Sequence, residues 1–318
     1  MKAVLRVLRS DYLGLLVVLV LLFLVFGTLS DRFFTLRTFT TVANQIPDLA
    51  VVAVGMTFVL IVGGIDLSVG SVLALASALL GVALSEWSFS LGSAVMMAIA
   101  AGFLCGILNG VVTVGWSVPS FIVTLGMLEI ARGAAYLVTG SRTAYIGASI
   151  EPVGAPLPGL GLSPAFLAAI VLVIAGQIAL SRTVFGRYAV AIGTNEEAVR
   201  LSGIDPRPTR IAVFALAGVS SGLGGVFHAG RLAAADPNAA VGLELSAIAA
   251  VVLGGTSLMG GRGSVVRSFF GVLVIAVLQS GLAQVGASEP AKRVVTGAVI
   301  VAAVIADSYR SSRLRGSD

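Results

Sequence analysis

The chain has 318 residues, of which 57% are hydrophobic and only 11% are charged, and its mean hydropathy is +1.04. A soluble protein of that composition would lack the polar side chains needed to cover its surface, so we predict a membrane protein with several spans. The net charge of +5 comes mainly from arginines near predicted span ends, which indicates membrane topology rather than nucleic-acid binding.

The apolar runs predict an all-α fold, a polytopic membrane helix bundle with about ten transmembrane helices in a single domain covering residues 1–318. The first run follows three basic residues, but no small-residue cleavage site comes after it, so we expect it to be a retained span. The predicted spans are 12–29, 46–63, 67–85, 92–113, 119–139, 163–181, 209–229, 242–257, 264–284 and 290–307.

The distribution of lysine and arginine predicts the orientation. With the N-terminus inside, the inner segments hold roughly twice as many basic residues as the outer segments. Arg32 and Arg37 are in an outer segment and are exceptions to this bias. We therefore expect both termini, and the loop at about 182–208, on the cytoplasmic side. The outer loop at about 140–162 is rich in proline and glycine and is expected to be irregular and exposed.

Residues 193–204 are the only long polar stretch between the predicted spans. Thr194 and Glu197 have the spacing of a capping box, and Glu196 and Glu197 suit the positive end of a helix dipole. Gly203 suits the position just after a helix, and two prolines follow it. We predict an exposed two-turn helix that is too short to be stable alone in water and therefore needs a docking partner.

Two glycine-rich segments interrupt the apolar runs. Residues 63–71 form either a tight turn, with Asp66 or Ser68 capping the next helix, or a discontinuous helix whose free amides line a polar path. Residues 254–264 contain two glycines at Walker A spacing, but glycine and arginine stand where lysine and Ser or Thr are required. ATP hydrolysis therefore needs another subunit. The predicted helix breaks are Gly63, Gly64, Gly254, Gly255, Gly260 and Gly261.

Polar residues within apolar spans are candidates for a transport path. Ionisable groups at such depth are costly, so they usually pair or face a cavity. Glu129 and Arg132 are three residues apart on one helix face, and we expect an ion pair that is either structural or beside the path. The remaining polar groups serve equally well as bonds between helices. The candidate path residues are Asp66, Ser68, Asn109, Phe121, Thr124, Glu129 and Arg132.

Small residues also form stripes along two spans. Glycines recur every four residues at Gly102, Gly106 and Gly110, and again at Gly218 and Gly222. Such spacing places the glycines on one helix face and allows backbones to approach closely. We interpret both stripes as packing surfaces.

Catalytic and metal sites are disfavoured. Residues 218–222 match the G-x-S-x-G nucleophile motif, with His228 eight residues later, but they lie in an apolar helix instead of a strand-turn-helix. We expect His228 to be a packed polar residue near the outer end of its span. With one histidine and one cysteine, Cys105, the chain is expected to hold no metal and no catalytic residue.

Segments 63–71, 119–133, 193–203 and 254–264 together resemble the ribose-type permeases, the membrane subunits of bacterial ATP-binding-cassette importers for simple sugars. The four motifs occur in the order of that family, and the resemblance extends over nearly the whole chain. Glu129 does not belong to the family pattern, so the resemblance gives it no role.

The resemblance implies a non-enzymatic inner-membrane subunit. Its partners would be a second permease (a copy or a paralogue), two cytoplasmic ATP-binding subunits that hold ATP and Mg, and a periplasmic sugar-binding protein. No nucleic acid and no cofactor of its own are implied. Residues 195–203 resemble the family's coupling helix, which sits in a groove of the ATPase. The implied coupling residues are Asn195, Glu196, Glu197, Ala198, Arg200, Leu201, Ser202 and Gly203.

The implied function is uptake of a monosaccharide (a ribose-, xylose- or galactose-like sugar) or a polyol by alternating access. The alternative is an ion-coupled secondary sugar transporter. That mechanism requires a buried carboxylate that is unpaired in one state, and the expected pairing of Glu129 counts against it.

Overall fold

The apolar runs fold into helices. A computed structural model describes residues 2–299 and 301–302, and its strands in that part of the chain are two residues long. The elements are α1 (Lys2–Leu29), α2 (Leu36–Gln45), α3 (Pro47–Ile61), α4 (Val69–Ser85), α5 (Leu91–Gly115), α6 (Ser120–Thr139), β1 (Ala144–Tyr145), a 3-10 helix (Gly147–Ile150), α7 (Glu151–Gly154), α8 (Pro164–Arg182), α9 (Val184–Leu201), α10 (Arg207–Leu232), β2 (Ala234–Ala235), α11 (Leu243–Leu253) and α12 (Val265–Gln284), and residues 289–299 are also helical.

The second predicted span is preceded by a helix that the apolar pattern does not reveal. Helix α2 meets α3 at a bend of 48°. Pro47 is the first residue of α3 and has no N–H to continue the hydrogen bonds of α2, so the chain restarts its helix there. Thr35 caps α2 by accepting a hydrogen bond from the amide of Thr38 at 3.3 Å. The helix is short and largely polar, which is why hydropathy alone misses it.

Helix length supports six or seven membrane crossings in the described part of the chain. Helices α1, α5, α6, α8, α10 and α12 are long and apolar enough to cross, and the bent pair α2–α3 is a seventh candidate. Helix α11 has 11 residues. At about 1.5 Å per residue it covers roughly half of a hydrocarbon core of about 30 Å. The predicted span 242–257 is therefore only partly helical, and the predicted span 290–307 extends outside the described residues.

Helix α10 is the most buried of the long helices and lies between α3, α4 and α5. Its contact with α5 is made by the two glycine stripes. A Cβ atom added to Gly102 would lie 2.2 Å from the carbonyl oxygen of Gly218, and one added to Gly218 would lie 2.1 Å from that of Gly102. Any larger side chain would separate the two backbones, so the predicted packing role of the stripes is confirmed.

The loop at 140–162 is more ordered than its composition predicts. Strand β1 pairs antiparallel with β2, with Ala144 opposite Ala235. Ile150 is completely buried, and a Cβ atom on Gly154 would lie 1.9 Å from the carbonyl oxygen of Gly230 at the end of α10. The expectation of an irregular, exposed loop is therefore partly wrong, because its packing partners lie some 90 residues further along the chain.

Candidate functional site

The predicted coupling stretch is the end of α9, where the helix kinks. Asn195 has non-helical backbone angles (φ −160°, ψ 96°), and its Oδ1 accepts a hydrogen bond from the amide of Ala198 at 3.0 Å. Thr194 instead donates to the carbonyl of Val190 at 2.8 Å. The predicted capping box is therefore wrong: Thr194 belongs to the preceding helix and Asn195 is the N-cap. A threonine hydroxyl can bond back to the fourth preceding carbonyl when its own backbone is helical.

The end of this short helix follows the prediction. Gly203 has φ +83°, a conformation that favours glycine, and its amide bonds to the carbonyl of Arg200 at 3.0 Å. The amide of Ile204 bonds to the carbonyl of Val199 at 3.3 Å, and Ser202 Oγ donates to the same carbonyl at 2.7 Å. These bonds satisfy carbonyls that would otherwise be unpaired at the helix end.

The two faces of this helix differ. Val199 is buried, and the half-buried Ile204 packs against the same cluster, so this face is fixed to the bundle. Leu201 is 80% exposed on the other face. Glu197 and Arg200 form an exposed ion pair. An ordered, exposed apolar side chain beside a charge pair is suited to a small helix-in-groove contact.

The α9 kink contacts both predicted helix breaks. The amide of Gly261 donates to the carbonyl of Ile61 at the end of α3, at 2.9 Å. A Cβ atom on Gly193 would lie 1.7 Å from the same carbonyl oxygen, and one on Gly260 would lie 2.8 Å from the carbonyl oxygen of Gly193. We call this backbone contact, formed by residues 61–64, 193–194 and 260–261, the glycine junction. The α9 kink and both breaks are therefore in direct backbone contact.

The helix breaks lie where glycine predicts them. Helix α3 ends just before Gly63 and Gly64, and α11 ends just before Gly254 and Gly255. Residues 62–68 are non-helical, and so are residues 254–264.

The break between α3 and α4 holds a buried polar cluster. Asp66 Oδ1 accepts hydrogen bonds from the amide and the hydroxyl of Ser68, at 2.9 and 2.6 Å. Asn109 Nδ2 on α5 donates to Ser68 Oγ at 3.0 Å. All three residues are 1% exposed. The structure thus brings these predicted path residues together and buries them within the chain.

Helix α6 supports the same break. Thr124 Oγ1 accepts a hydrogen bond from the amide of Leu67 at 3.0 Å, and Ser120 Oγ accepts one from the amide of Ile65 at 2.9 Å. These two amides of the break are thus bonded to side chains and are not free to line a path. Phe121, on the same helix, is 48% exposed and lies outside this cluster.

The predicted ion pair between Glu129 and Arg132 does not form. Arg132 Nη1 donates to the carbonyl oxygens of Pro237 and Ala239, at 2.6 and 2.8 Å, and Glu129 is exposed. The segment after β2 passes over α6 and supplies these acceptors. Spacing along one helix could not anticipate a partner more than 100 residues away.

A buried carboxylate with a cationic partner lies elsewhere. Asp48 Oδ2, near the start of α3, is 2.7 Å from His228 Nδ1 and accepts a hydrogen bond from Arg231 Nη2 at 3.2 Å. Asp48 is 5% exposed. His228 and Arg231 are three residues apart on one face of α10. The only sequence signal for the group was the presence of charged residues at span ends.

The positions of Ser220 and His228 argue against a Ser-His hydrolase site. His228 bonds to Asp48, and Ser221 Oγ donates to the carbonyl of Ala217 at 2.9 Å. Ser220 and His228 lie on one continuous helix, eight residues and about 12 Å apart along its axis. No Ser-His pair can form in that arrangement.

A cavity of about 850 Å³ opens beside this charged group. It lies between the starts of α3 and α11, the ends of α10 and α12, and the helical residues 289–297. Asp48, His228 and Arg231 form one wall, and Lys292 and Thr296 form part of another. No group of three or more His, Cys, Asp or Glu side chains suited to a metal ion occurs in the described part of the chain.

Comparison with known proteins identifies the family. The family described as "Branched-chain amino acid transport system / permease component" matches residues 38–304. The chain belongs to this permease family. It is a transport subunit and a multi-pass inner-membrane protein.

The permease has curated relatives over nearly its whole length. It is 38% identical over 308 residues to the ribose import permease protein RbsC of Escherichia coli (strain K12), covering 93% of each chain. It is 37% identical over 314 residues to RbsC of Bacillus subtilis (strain 168), covering 95% of this chain and 93% of the relative. It is 32% identical over 303 residues to the fructose import permease protein FrcC of Rhizobium meliloti, covering 92% and 84%. No solved structure matches it significantly.

Proposed function

We propose that this chain is the membrane-spanning permease subunit of an ATP-driven, binding-protein-dependent importer of a monosaccharide or related polyol. The observation that carries the proposal is the similarity to ribose and fructose import permeases over more than nine-tenths of the chain. An L-arabinose permease of Azospirillum brasilense is 32% identical over 305 residues. The substrates named for these relatives are all simple sugars.

The proposed assembly contains a second permease subunit, either a copy or a paralogue, two cytoplasmic ATPase subunits and a periplasmic sugar-binding protein. ATP and Mg belong to the ATPase subunits, since glycine and arginine follow Gly260 at the two positions where a phosphate-binding loop requires lysine and Ser or Thr. The charge bias supports cytoplasmic termini and a cytoplasmic α9–α10 connection. We retain ten crossings as part of the proposal, with α4, the last helix and, as a partly helical crossing, residues 242–257 completing the count.

Residues 195–203 are proposed as the contact with the ATPase. The Asn195 cap and the Gly203 turn order the helix, Val199 fixes it to the bundle, and Leu201 is exposed. ATP binding would close the ATPases and move the paired coupling helices. The glycine junction gives a direct route from that movement to the α3–α4 break, because Ile61 and Gly193 are in backbone contact.

The path between the paired subunits is proposed to run beside the α3–α4 break, α5 and α6, which carry the predicted path residues. Phe121 and Glu129 are exposed in the single chain and would face a partner, the path or lipid. Asp66, Ser68 and Asn109 would support the discontinuous helix from behind, since they are almost completely buried. Reorientation of that helix is the proposed alternating-access step.

The alternative function is an ion-coupled secondary sugar transporter. Glu129 is exposed and does not form the expected ion pair with Arg132. Pairing of Glu129 is therefore no longer an argument against an ion-coupled mechanism. Uptake in proteoliposomes that contain only this chain, driven by a proton or sodium gradient, would favour the alternative. Uptake that requires ATP, an ATPase subunit and a binding protein would favour the importer.

The coupling role is tested with Glu197→Arg combined with Ser202→Arg. Both positions lie on the exposed helix, so the variant is expected to insert normally, to lose co-purification of the ATPase and to lose uptake. A matched control places arginine at Tyr145, which is 80% exposed in the predicted outer loop. Normal assembly of the double variant would reject the coupling role.

A further inference from the structure

The cavity beside Asp48 has the size of a small-molecule site. Its volume of about 850 Å³ lies within the range of about 300 to 1,000 Å³ typical of ligand pockets. It is distinct from the buried cluster of Asp66, Ser68 and Asn109, because none of these residues lines it. In the proposed orientation it opens at the outer end of the bundle, where α10 ends and α3 begins.

Most charges on the cavity wall are already paired. The carboxylate of Asp48 pairs with His228 and Arg231. Lys292 Nζ donates to Glu289 Oε1 at 2.7 Å. Arg293 adds one positive charge, and its side chain is exposed at the rim, where water screens it. Pairing leaves little net field inside the cavity, which favours a neutral ligand over an ionic one.

Uncharged hydrogen-bonding groups make up much of the remaining wall. Thr296 lines the cavity and is 8% exposed, and its Oγ1 is covered and has no hydrogen-bond partner among the described residues. Gln279 lies within the long apolar helix α12, yet it is exposed toward the cavity it lines, next to Ser280. A buried hydroxyl without a partner is costly, and an exposed glutamine within a membrane helix is unusual. A ligand rich in hydroxyl groups would satisfy both, because each hydroxyl donates and accepts.

We propose that this cavity binds a neutral polyhydroxy compound of monosaccharide size, with Gln279 as a direct hydrogen-bonding partner and Thr296 as a second once its side chain turns the hydroxyl toward the cavity. The inference rests on the proposed function, and it identifies the ligand as the imported sugar on its way through the permease. The Asp48–His228–Arg231 group holds the wall in place from α3 and α10. The site is open and partly apolar, so binding is weak enough for the sugar to leave.

The test uses the full-length chain in lipid nanodiscs and saturation-transfer difference NMR, which detects weak ligands. D-ribose, L-arabinose and D-fructose are titrated separately, with D-gluconate as an anionic probe. We expect at least one neutral sugar to bind more tightly than D-gluconate. Thr296→Val keeps the side-chain shape and removes the hydroxyl, and it should weaken binding about fivefold, as expected for one lost hydrogen bond.

The matched control is Thr113→Val. Thr113 is 2% exposed, its Oγ1 also lacks a partner among the described residues, and it does not line the cavity. Its substitution should leave binding unchanged. No binding of any neutral sugar, stronger binding of D-gluconate, or an equal effect of Thr113→Val and Thr296→Val would each overturn the proposal.

A labelling experiment locates the ligand independently. Cys105 is the only cysteine, so Cys105→Ala provides a background for Gln279→Cys and for a control, Tyr145→Cys, in the outer loop. The bound sugar should slow thiol modification severalfold in Gln279→Cys and leave Tyr145→Cys unchanged. Equal rates with and without sugar in Gln279→Cys would place the ligand elsewhere.

ATP-dependent uptake by the assembled importer is measured in parallel with the same sugars. Uptake without binding in the cavity would reject the cavity site and leave the importer function standing. Absence of ATP-dependent uptake would reject the proposed function itself, whatever the cavity binds.

Discussion

Leu201 provides a quantitative test of the coupling helix. Its side chain is 80% exposed in the isolated permease, so nearly all of it is free to be buried by a partner. Leu201→Ala removes three carbons, each contributing about 0.8 kcal/mol when buried. Scaled by the exposed fraction, the substitution should cost about 2 kcal/mol of binding free energy, or roughly a 30-fold higher Kd for the ATPase subunit.

The stability of the permease itself should hardly change. An exposed surface substitution shifts the free energy of unfolding by about 0.5 kcal/mol or less. The assay is biolayer interferometry between nanodisc-embedded permease and purified ATPase subunit, with thermal unfolding recorded on the same samples. Leu137→Ala, at an 85% exposed position on α6, is the matched control. A Kd within twofold of wild type, or the same loss in the control, would refute a contact at Leu201.

Three further substitutions test the architecture. Asn195→Ala should destabilise the short helix by about 1 kcal/mol and speed amide exchange there, whereas Thr194→Ala should have little effect, because only Asn195 is the cap. Asp48→Ala should destabilise the protein by about 1–3 kcal/mol, seen as a lower melting temperature, because it leaves the buried imidazole of His228 without its carboxylate partner. Gly106→Ala should lower the yield of folded protein, since its Cβ would lie 2.3 Å from a carbonyl of α10, whereas Gly126→Ala, with open space around it, should not.

The features that were predicted correctly from the sequence depend on residues close together in the chain. The Gly203 helix end depends on residues within one turn, and the close packing of the glycine stripes depends on a spacing of four along a helix. The prediction of Thr194 as the N-cap was wrong because Thr194 and Asn195 are adjacent and either side chain could cap the helix. Which of them does so depends on where the backbone kinks. That kink lies at Asn195, beside the glycine junction, where Gly193 touches Ile61.

The features that the sequence did not predict depend on contacts between residues far apart in the chain. Asp48 and His228 are 180 residues apart, and Arg132 finds carbonyl acceptors more than 100 residues away. Neither partner has a local signature, because any polar group with the right geometry would serve. The cavity near Thr296 likewise exists only where the ends of several helices meet.

The sequence by itself determined the membrane class, the approximate positions of the long apolar helices, the glycine breaks and the absence of a phosphate-binding loop, because hydropathy and backbone freedom are properties of short segments. The tertiary structure decided which polar groups are paired, which face of the 195–203 helix is exposed, and that the kink and both breaks touch. Those outcomes depend on how helices far apart in the chain pack together, and burial makes each unpaired polar group costly enough to select one partner.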